Sequence, residues 1–220
     1  MSQTFVKICG ITTADAAGTV SESGADAIGF VFAPGSPRTV SAEVARSLAA
    51  AVSPEVETVG VFRNQPLDAV LRIAADARLT TVQLHGDEPE SDFARLRREG
   101  FRTIRAVSIE TYRGLAAGGS DGSGNGGSDS GDGSSDSGSD RLLIDAVSPG
   151  GGTLFDTTEL ETAPPQGFWI LAGGLTPGNV RGLVDGVRPG GVDVSSGVES
   201  SRGVKDLGLI RDFVQAARGL

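Results

Sequence analysis

Short apolar runs of strand type alternate along this chain with stretches whose apolar residues recur at helical spacing. The predicted strands are Val6–Ile11, Ala27–Phe32, Thr58–Phe62, Thr81–His85, Thr103–Ile109, Arg141–Val147, Phe168–Ala172 and Val192–Ser195. Strands that alternate with helices pair in parallel through right-handed crossovers, and eight such strands can close a barrel. The pattern therefore predicts an α/β protein, a single (β/α)8 barrel of the TIM type that spans residues 1–220.

The intervening stretches carry helix-start signals. Ser41 is placed to cap a helix, and the proline at position 66 suits a first helical turn. The helices predicted from these signals are one near Ala14–Ser23, one capped by Ser41, one from Pro66 to about Ala77, one opening at Glu88-Pro89, one starting at Pro177 and one over about Lys205–Arg218.

Residues 118–140 interrupt this rhythm. They comprise nine glycines, eight serines, five aspartates and Asn125, with nothing apolar. Such a composition cannot bury enough surface to offset its ordering entropy, so we interpret the segment as an acidic, flexible loop where a fifth helix is expected. A linker between two domains is the rival interpretation, but neither flank alone has enough strands to close a sheet.

Charge and composition limit the partners. The formal net charge is −9, of which five negative charges lie in residues 118–140. This balance disfavours a nucleic-acid or anionic-membrane partner, and no run approaches the roughly 20 apolar residues of a membrane span. Lys7, Asp15 and Glu22 interrupt any apolar signal segment. The single cysteine cannot form an internal disulfide, so we expect a cytoplasmic protein. Acidity with only two lysines also fits a salt-loving host, which the sequence does not establish.

Candidate chemistry lies at the predicted strand ends, where α/β barrels place their active sites. Cys9 ends the first strand and Asp145 lies near the end of the sixth. If Cys9 points into the barrel mouth, alternation places Lys7 inside, one layer below. The first and eighth strands are neighbours in a closed barrel, so Lys7 and Asp193 are predicted to form a buried ion pair within about 4 Å. Lys7 could also favour the Cys9 thiolate, provided that Asp193 does not neutralise it.

Two glycine-rich turns follow the seventh and eighth predicted strands, and barrels often bind phosphate there on backbone N–H groups. Glycine permits close backbone approach, and serine hydroxyls can donate to phosphate oxygens. The predicted phosphate-binding residues are Gly173, Gly174, Ser195, Ser196 and Gly197.

Several of these residues belong to an ordered set of motifs. The motifs are Lys7–Thr12 (KICGIT), Gly29–Phe32 (GFVF), Ser36–Arg38 (SPR), Gln83–Gly86 (QLHG), Leu143–Asp145 (LID), Gly173–Leu175 (GGL) and Val192–Glu199 (VDVSSGVE). In this order, over nearly the whole chain outside 118–140, they resemble the phosphoribosylanthranilate isomerase family of tryptophan biosynthesis. The resemblance implies a (β/α)8 barrel that carries out a cofactor-free Amadori rearrangement of a small phosphosugar. It implies Cys9 as general base, Asp145 as general acid and Arg38 as the clamp for the anthranilate carboxylate.

The chain departs from the family after the sixth strand. Members usually carry a longer glycine-rich loop there with a lysine and then Phe-Asp-Trp, whereas Ser148–Asp156 contains neither the lysine nor the tryptophan. The departure bears on the loop's contribution to substrate affinity and not on the reaction.

Structural interpretations of the same residues stay open. Cys9 could be a core residue, Asp145 a cap and Arg38 a solvated charge. His85 is the only histidine, so we expect no metal and interpret it as a hydrogen-bonded residue at the barrel rim, near the substrate. Asp193 either pairs with Lys7 or contacts substrate hydroxyls.

Two other function classes are open. The aminoaldose isomerase of histidine biosynthesis shares the chemistry, but it normally uses two aspartates, one of them where this chain has Cys9. A non-catalytic phosphosugar-binding or scaffold protein would need no acid and base. We expect a monomer because the sequence shows no uninterrupted exposed apolar stripe, and a homodimer is the alternative.

Overall fold

In the computed structural model, which describes residues 3–117, 141–146 and 158–220, eight parallel strands close a barrel in chain order. The strands are β1 Phe5–Cys9, β2 Ala27–Val31, β3 Glu57–Phe62, β4 Thr81–Leu84, β5 Arg102–Ser108, β6 Arg141–Asp145, β7 Trp169–Ala172 and β8 Gly191–Val194. The α/β barrel predicted from the sequence is confirmed. No helix within the described ranges is long and apolar enough to cross a membrane.

Helices follow the strands on the outside of the barrel. They are α1 Ala14–Glu22, α2 Ala42–Ala49, α3 Leu67–Asp76, α4 Glu90–Arg98, α5 Ile109–Ala117, α6 Thr158–Thr162, α7 Val180–Val187 and α8 Leu207–Arg218. Between β8 and α8 the chain forms a short 3-10 turn, Ser196–Val198, and a two-stranded hairpin of β9 Glu199–Ser201 and β10 Val204–Lys205. Ser41 caps α2 as predicted, since its side chain accepts a hydrogen bond from the Val44 backbone N–H.

Strand alternation divides the core into two regions. Outward-facing residues such as Ile8 and Ile28 pack beneath the helices in the larger cluster. Inside the barrel lies a smaller cluster of Ala27, Val59, Ile104, Ala106, Leu143, Ile170 and Ala172. Cys9, Val31 and Val61 form the apolar layer near the mouth. The barrel is therefore closed below by side chains and open above, where the strands end.

Some predicted boundaries are wrong by a few residues. Ile11, His85 and Ser195 lie beyond their strands, because the chain turns away at the barrel mouth; Gly10, with φ of 77°, marks the first of these turns. The seventh helix begins at Val180 and not at Pro177. There the Asn179 side chain accepts from the Thr176 backbone N–H and donates to the Gly174 carbonyl, so these residues form a turn first.

The fifth helix is present. The sequence placed the acidic segment where this helix was expected, but α5 runs over Ile109–Ala117 and residues 118–140 follow it. Ile109, predicted as the end of the fifth strand, is the first residue of the helix. Residues 118–140, Val147 and the Ser148–Asp156 loop lie outside the described residues, so the interpretations of these segments stay predictions.

Candidate active site

A cavity of about 490 Å³ opens at the carboxyl ends of the barrel strands. It brings together every site residue predicted from the sequence: Cys9, Arg38, His85, Asp145, Gly173, Gly174, Asp193, Ser195, Ser196 and Gly197. These residues come from six separate regions of the chain, and the closure of the barrel places them around one space.

Cys9 occupies the last position of β1. The neighbouring position on β2 is Gly29, where a Cβ atom would lie 2.9 Å from the Cys9 Sγ. That distance is shorter than ordinary packing permits, so glycine at this position leaves the room that the thiol occupies.

Lys7 lies one layer below Cys9 and is fully buried. Its Nζ donates to Asp193 Oδ2 at 2.9 Å, and the two residues are register partners on β1 and β8. The buried ion pair predicted from strand alternation is confirmed. Burial alone would lower the pKa of Lys7, but the charges of Asp193 and Cys9 raise it, so Lys7 remains an ammonium.

The thiol of Cys9 is shifted toward its neutral form. Burial is the largest cause and raises its pKa, the ammonium of Lys7 opposes this, and the charge of Asp193 reinforces it. The charge of Lys7 therefore lowers the pKa of Cys9, as the sequence suggested, but burial raises this pKa by more. Burial also raises the pKa of Asp193, against the opposing charge of Lys7.

Asp145 ends β6 and faces His85, whose Nε2 lies 3.5 Å from Asp145 Oδ2. The Gln83 amide nitrogen lies 3.5 Å from the other imidazole nitrogen, Nδ1. An amide nitrogen can only donate, so in this arrangement Nδ1 accepts and the proton of the neutral ring resides on Nε2, toward Asp145. Gln83, His85 and Asp145 thus form a chain of long polar contacts along one side of the mouth.

Arg38 comes from the loop between β2 and α2 and crosses close to β1. A Cβ atom at Gly10 would lie 2.4 Å from the Arg38 Cδ, so the guanidinium reaches the cavity over a glycine. The Arg38 Nε and Nη2 donate to the two carboxylate oxygens of Glu199 at 2.6 and 2.8 Å. The interpretation of Arg38 as a solvated loop charge is therefore wrong, because its side chain is held in place.

Two residues of this cluster were missed as site residues. Glu199 appears in the sequence only within a motif, and Lys205 was predicted as the start of the last helix, whereas the structure places it in β10 and begins α8 at Leu207. The Lys205 Nζ donates to Glu199 Oε1 at 2.9 Å and to the Ser195 carbonyl at 2.7 Å. The scarcity of lysine in the sequence was the one available signal, since both lysines lie buried near this cavity.

The two glycine-rich turns are in direct contact. Gly173 and Gly174 both have positive φ, of 92° and 64°, which favours glycine at these positions. A Cβ at Gly197 would lie 1.7 Å from the Leu175 carbonyl oxygen, so the turn after β8 packs backbone against backbone on the turn after β7. This close approach gathers backbone groups from both turns at one edge of the cavity.

Two buried oxygen atoms at the cavity have no hydrogen-bond partner among the residues that the structure describes. They are Gln83 Oε1 and Asp193 Oδ1. Buried acceptors are costly when unsatisfied, so both are suited to donors from a bound ligand. Within the described ranges, no group of three His, Cys, Asp or Glu side chains is arranged to hold a metal ion.

Comparison with known proteins shows what the chain is similar to. The family model of N-(5′-phosphoribosyl)anthranilate (PRA) isomerase matches residues 6–119 and 127–216. The N-(5′-phosphoribosyl)anthranilate isomerase of Geobacter metallireducens is 41% identical over 223 residues, which cover 97% of this chain and 98% of that protein.

Solved structures agree. The crystal structure of phosphoribosyl anthranilate isomerase from Thermotoga maritima superposes with a TM-score of 0.81 at 36% identity, and covers 99% of this chain and 100% of its own. A second crystal structure of the enzyme, in complex with reduced 1-(o-carboxyphenylamino)-1-deoxyribulose 5-phosphate, has a TM-score of 0.79 at the same identity and coverage.

Proposed function

The chain belongs to the N-(5′-phosphoribosyl)anthranilate isomerase family of tryptophan biosynthesis, and from this membership we propose the reaction and the residues that carry it out. The cavity converts N-(5-phosphoribosyl)anthranilate to 1-(2-carboxyphenylamino)-1-deoxyribulose 5-phosphate. This Amadori rearrangement needs no cofactor. It needs an acid, a base and two anion-binding sites.

The two anionic groups of the substrate, its phosphate and its carboxylate, bind at separate places in the cavity. The phosphate lies against the turns at Gly173-Gly174 and Ser195–Gly197, where backbone N–H groups and serine hydroxyls donate to its oxygens. The anthranilate carboxylate binds Arg38. A guanidinium carries five N–H donors, and Glu199 accepts from Nε and from one Nη2 hydrogen, so the two Nη1 hydrogens and the second Nη2 hydrogen remain for a second carboxylate.

Asp145 starts the reaction as general acid. It gives a proton to the furanose ring oxygen while the bond from this oxygen to C1′ breaks, and the anthranilate nitrogen lone pair forms a C=N bond to C1′. The product is an open-chain protonated Schiff base. Asp145 is left as a carboxylate facing the Nε2 hydrogen of His85, which is placed to stabilise that charge.

Cys9 then acts as general base. Its thiolate takes the C2′ proton, and the electrons of the C–H bond form a C1′–C2′ double bond that neutralises the iminium nitrogen. The resulting enolamine tautomerises when its hydroxyl proton is lost and C1′ gains one, which gives the ketone. The proton released by Asp145 equals the proton taken by Cys9, so the conversion is a net isomerisation.

Asp193 combines both roles considered from the sequence. Its Oδ2 pairs with Lys7, and its Oδ1 is a buried acceptor at the cavity. We assign Asp193 Oδ1 and Gln83 Oε1 to the sugar hydroxyls of the open-chain intermediate, whose donors would satisfy them. His85 borders the substrate at the same rim.

The observation that carries this proposal is the convergence of unlike groups on one cavity. An arginine clamp, two glycine turns, a thiol and a carboxylate come from distant parts of the sequence and line the same 490 Å³. A phosphosugar-binding protein without catalysis has no need for Cys9 and Asp145 there. We further expect the enzyme to act as a cytoplasmic monomer.

The test is turnover of phosphoribosylanthranilate, followed by loss of its anthranilate-type fluorescence. We expect the wild type to convert the substrate, and Cys9→Ala and Asp145→Ala each to lose about 100-fold or more in kcat. Asp185→Ala is the matched control, because Asp185 is an exposed residue of α7 paired with Arg181. The proposal fails if the wild type is inactive, or if the two cavity variants turn over as fast as the control.

A further inference from the structure

Lys205 is a buried cation next to the proposed substrate site. It ends β10 and its side chain is 2% exposed. Its Nζ reaches three acceptors: the Ser195 carbonyl at 2.7 Å, Glu199 Oε1 at 2.9 Å and Ser195 Oγ at 3.3 Å. Burial lowers the pKa of Lys205, and the hydrogen bond and charge of Glu199 oppose this shift. The three acceptors match the three N–H bonds of an ammonium.

Glu199 is the group that Lys205 shares with Arg38. Its carboxylate, 4% exposed, accepts from Arg38 Nε and Nη2, from Lys205 Nζ and from the Gly203 backbone N–H. Burial alone would raise the pKa of Glu199, but the hydrogen bonds from Arg38, Gly203 and Lys205 lower it to about 2. Glu199 is therefore a permanent anion at any pH near neutrality.

This anion poses an electrostatic problem for a carboxylate clamp. Arg38 bound to Glu199 forms a neutral pair, and a neutral pair attracts a second carboxylate weakly. Lys205 supplies the missing charge, because two cations around one anion leave one positive charge beside the cavity. The same ammonium holds the Ser195 carbonyl at the start of the turn proposed to bind phosphate.

We propose that Lys205 is a positioning residue that keeps the Arg38 clamp net cationic and fixes the Ser195 turn, so that both anionic ends of the substrate depend on it. This inference rests on the proposed function, since it concerns the same substrate. It assigns to Lys205 a charge-balancing role exerted through Glu199, without contact to the reacting atoms.

The test is a double-mutant cycle in which the charges of Lys205 and Glu199 are removed and ligand binding is measured. Calorimetry with reduced 1-(o-carboxyphenylamino)-1-deoxyribulose 5-phosphate gives the affinity of the wild type, of Lys205→Met and of Lys205→Met/Glu199→Gln. We expect Lys205→Met to weaken binding by about tenfold or more, as the loss of one charge-assisted interaction would do. The double variant, which has again one net positive charge at the clamp, should recover at least about threefold of that loss.

Recovery of affinity in the double variant distinguishes an effect of charge from an effect of packing. If Lys205 only supported the fold, removing Glu199 as well would weaken binding further, and that result would overturn the inference. Arg181→Met and Arg181→Met/Asp185→Asn repeat the same charge changes at an exposed pair of α7, and both should bind as the wild type does. Lys205→Gln, which retains an N–H donor, is measured in parallel in case the methionine variant does not fold. Wild-type protein without affinity for the ligand would instead refute the proposed function itself.

Discussion

Cys9 shares the upper layer of the barrel with Val31 and Val61, and these apolar neighbours explain its protonation. A thiolate there has lost most of its water, and this cost exceeds what Lys7 returns through its charge. A general base of high pKa is present as thiolate in a small fraction, but each thiolate is a strong base.

A titration of the thiol tests this account. Because the chain contains a single cysteine, the ultraviolet absorbance of the thiolate reports on Cys9 once the spectrum of Cys9→Ala is subtracted, which also removes the Tyr112 signal. A raised pKa means that the proton is held to higher pH, so we expect a midpoint above the ordinary thiol value of about 8.5. A midpoint at or below that value would show that Lys7 outweighs burial.

Lys7 and Asp193 stabilise the barrel interior only as a pair. Lys7→Met would leave the Asp193 carboxylate buried without its partner, so we expect the free energy of unfolding in urea to fall by about 3–5 kcal/mol. Arg95→Ala breaks an exposed pair of α4 with Glu99 and should cost less than about 1 kcal/mol. Equal losses for the two variants would mean that water reaches the Lys7 layer.

At the scale of elements, the strands were predictable and the polar hairpin was not. Five of the eight barrel strands are continuous buried runs such as Ala27–Val31, and such an apolar run can be recognised in the sequence without knowledge of the neighbouring strands. The strands of the β9–β10 hairpin consist of exposed or half-buried residues, all polar except Val204, with no apolar periodicity. Its reason to form is the ion cluster of Glu199, Lys205 and Arg38, which exists only after the barrel has closed.

The site residues divide in the same way, into positions that could be predicted from the strands and side-chain contacts that could not. Cys9 and Asp145 could be placed at one edge because the carboxyl ends of parallel strands converge there. The hydrogen bonds of Gln83 to His85 and of Arg38 to Glu199 could not be predicted, because they depend on the directions of side chains at and beyond the strand ends. The order of the strands thus determines which residues meet at the cavity. The packing of the loops determines the direction and the charge of their side chains.

The contact between the two glycine turns gives a prediction at this scale. Gly197→Ala places a methyl group against the Leu175 carbonyl and forces the turns apart, so we expect KM for the phosphosugar to rise about tenfold or more while the protein stays folded. Gly182→Ala, in the middle of α7 with open space around its Cα, should leave KM unchanged and stabilise the helix by up to about 1 kcal/mol. An unchanged KM in both variants would show that the two turns do not bind the phosphate.

For the whole molecule, the two faces of the barrel have separate tasks. The cavity lies where the strands end, whereas α5 leads back to the face where β6 begins. Arg141, the first residue of β6, is held there by Glu57 at 2.8 Å, and its guanidinium lies over the rings of Phe5 and Phe168. The strand that follows residues 118–140 is thus anchored by contacts within the barrel, away from the cavity.

This separation predicts the outcome of removing the acidic segment. With residues 118–140 replaced by about eight Gly and Ser residues, we expect kcat/KM to stay within about twofold of the wild type, because the segment connects the end of α5 to the start of β6, and the cavity lies at the other end of the strands. A shorter connection should also raise the free energy of unfolding by up to about 1 kcal/mol through its lower closure entropy. The control keeps the length and replaces the five aspartates by asparagine, which tests charge alone. Loss of soluble activity in the shortened protein, with the control unaffected, would show that the barrel needs the segment for more than connecting α5 to β6.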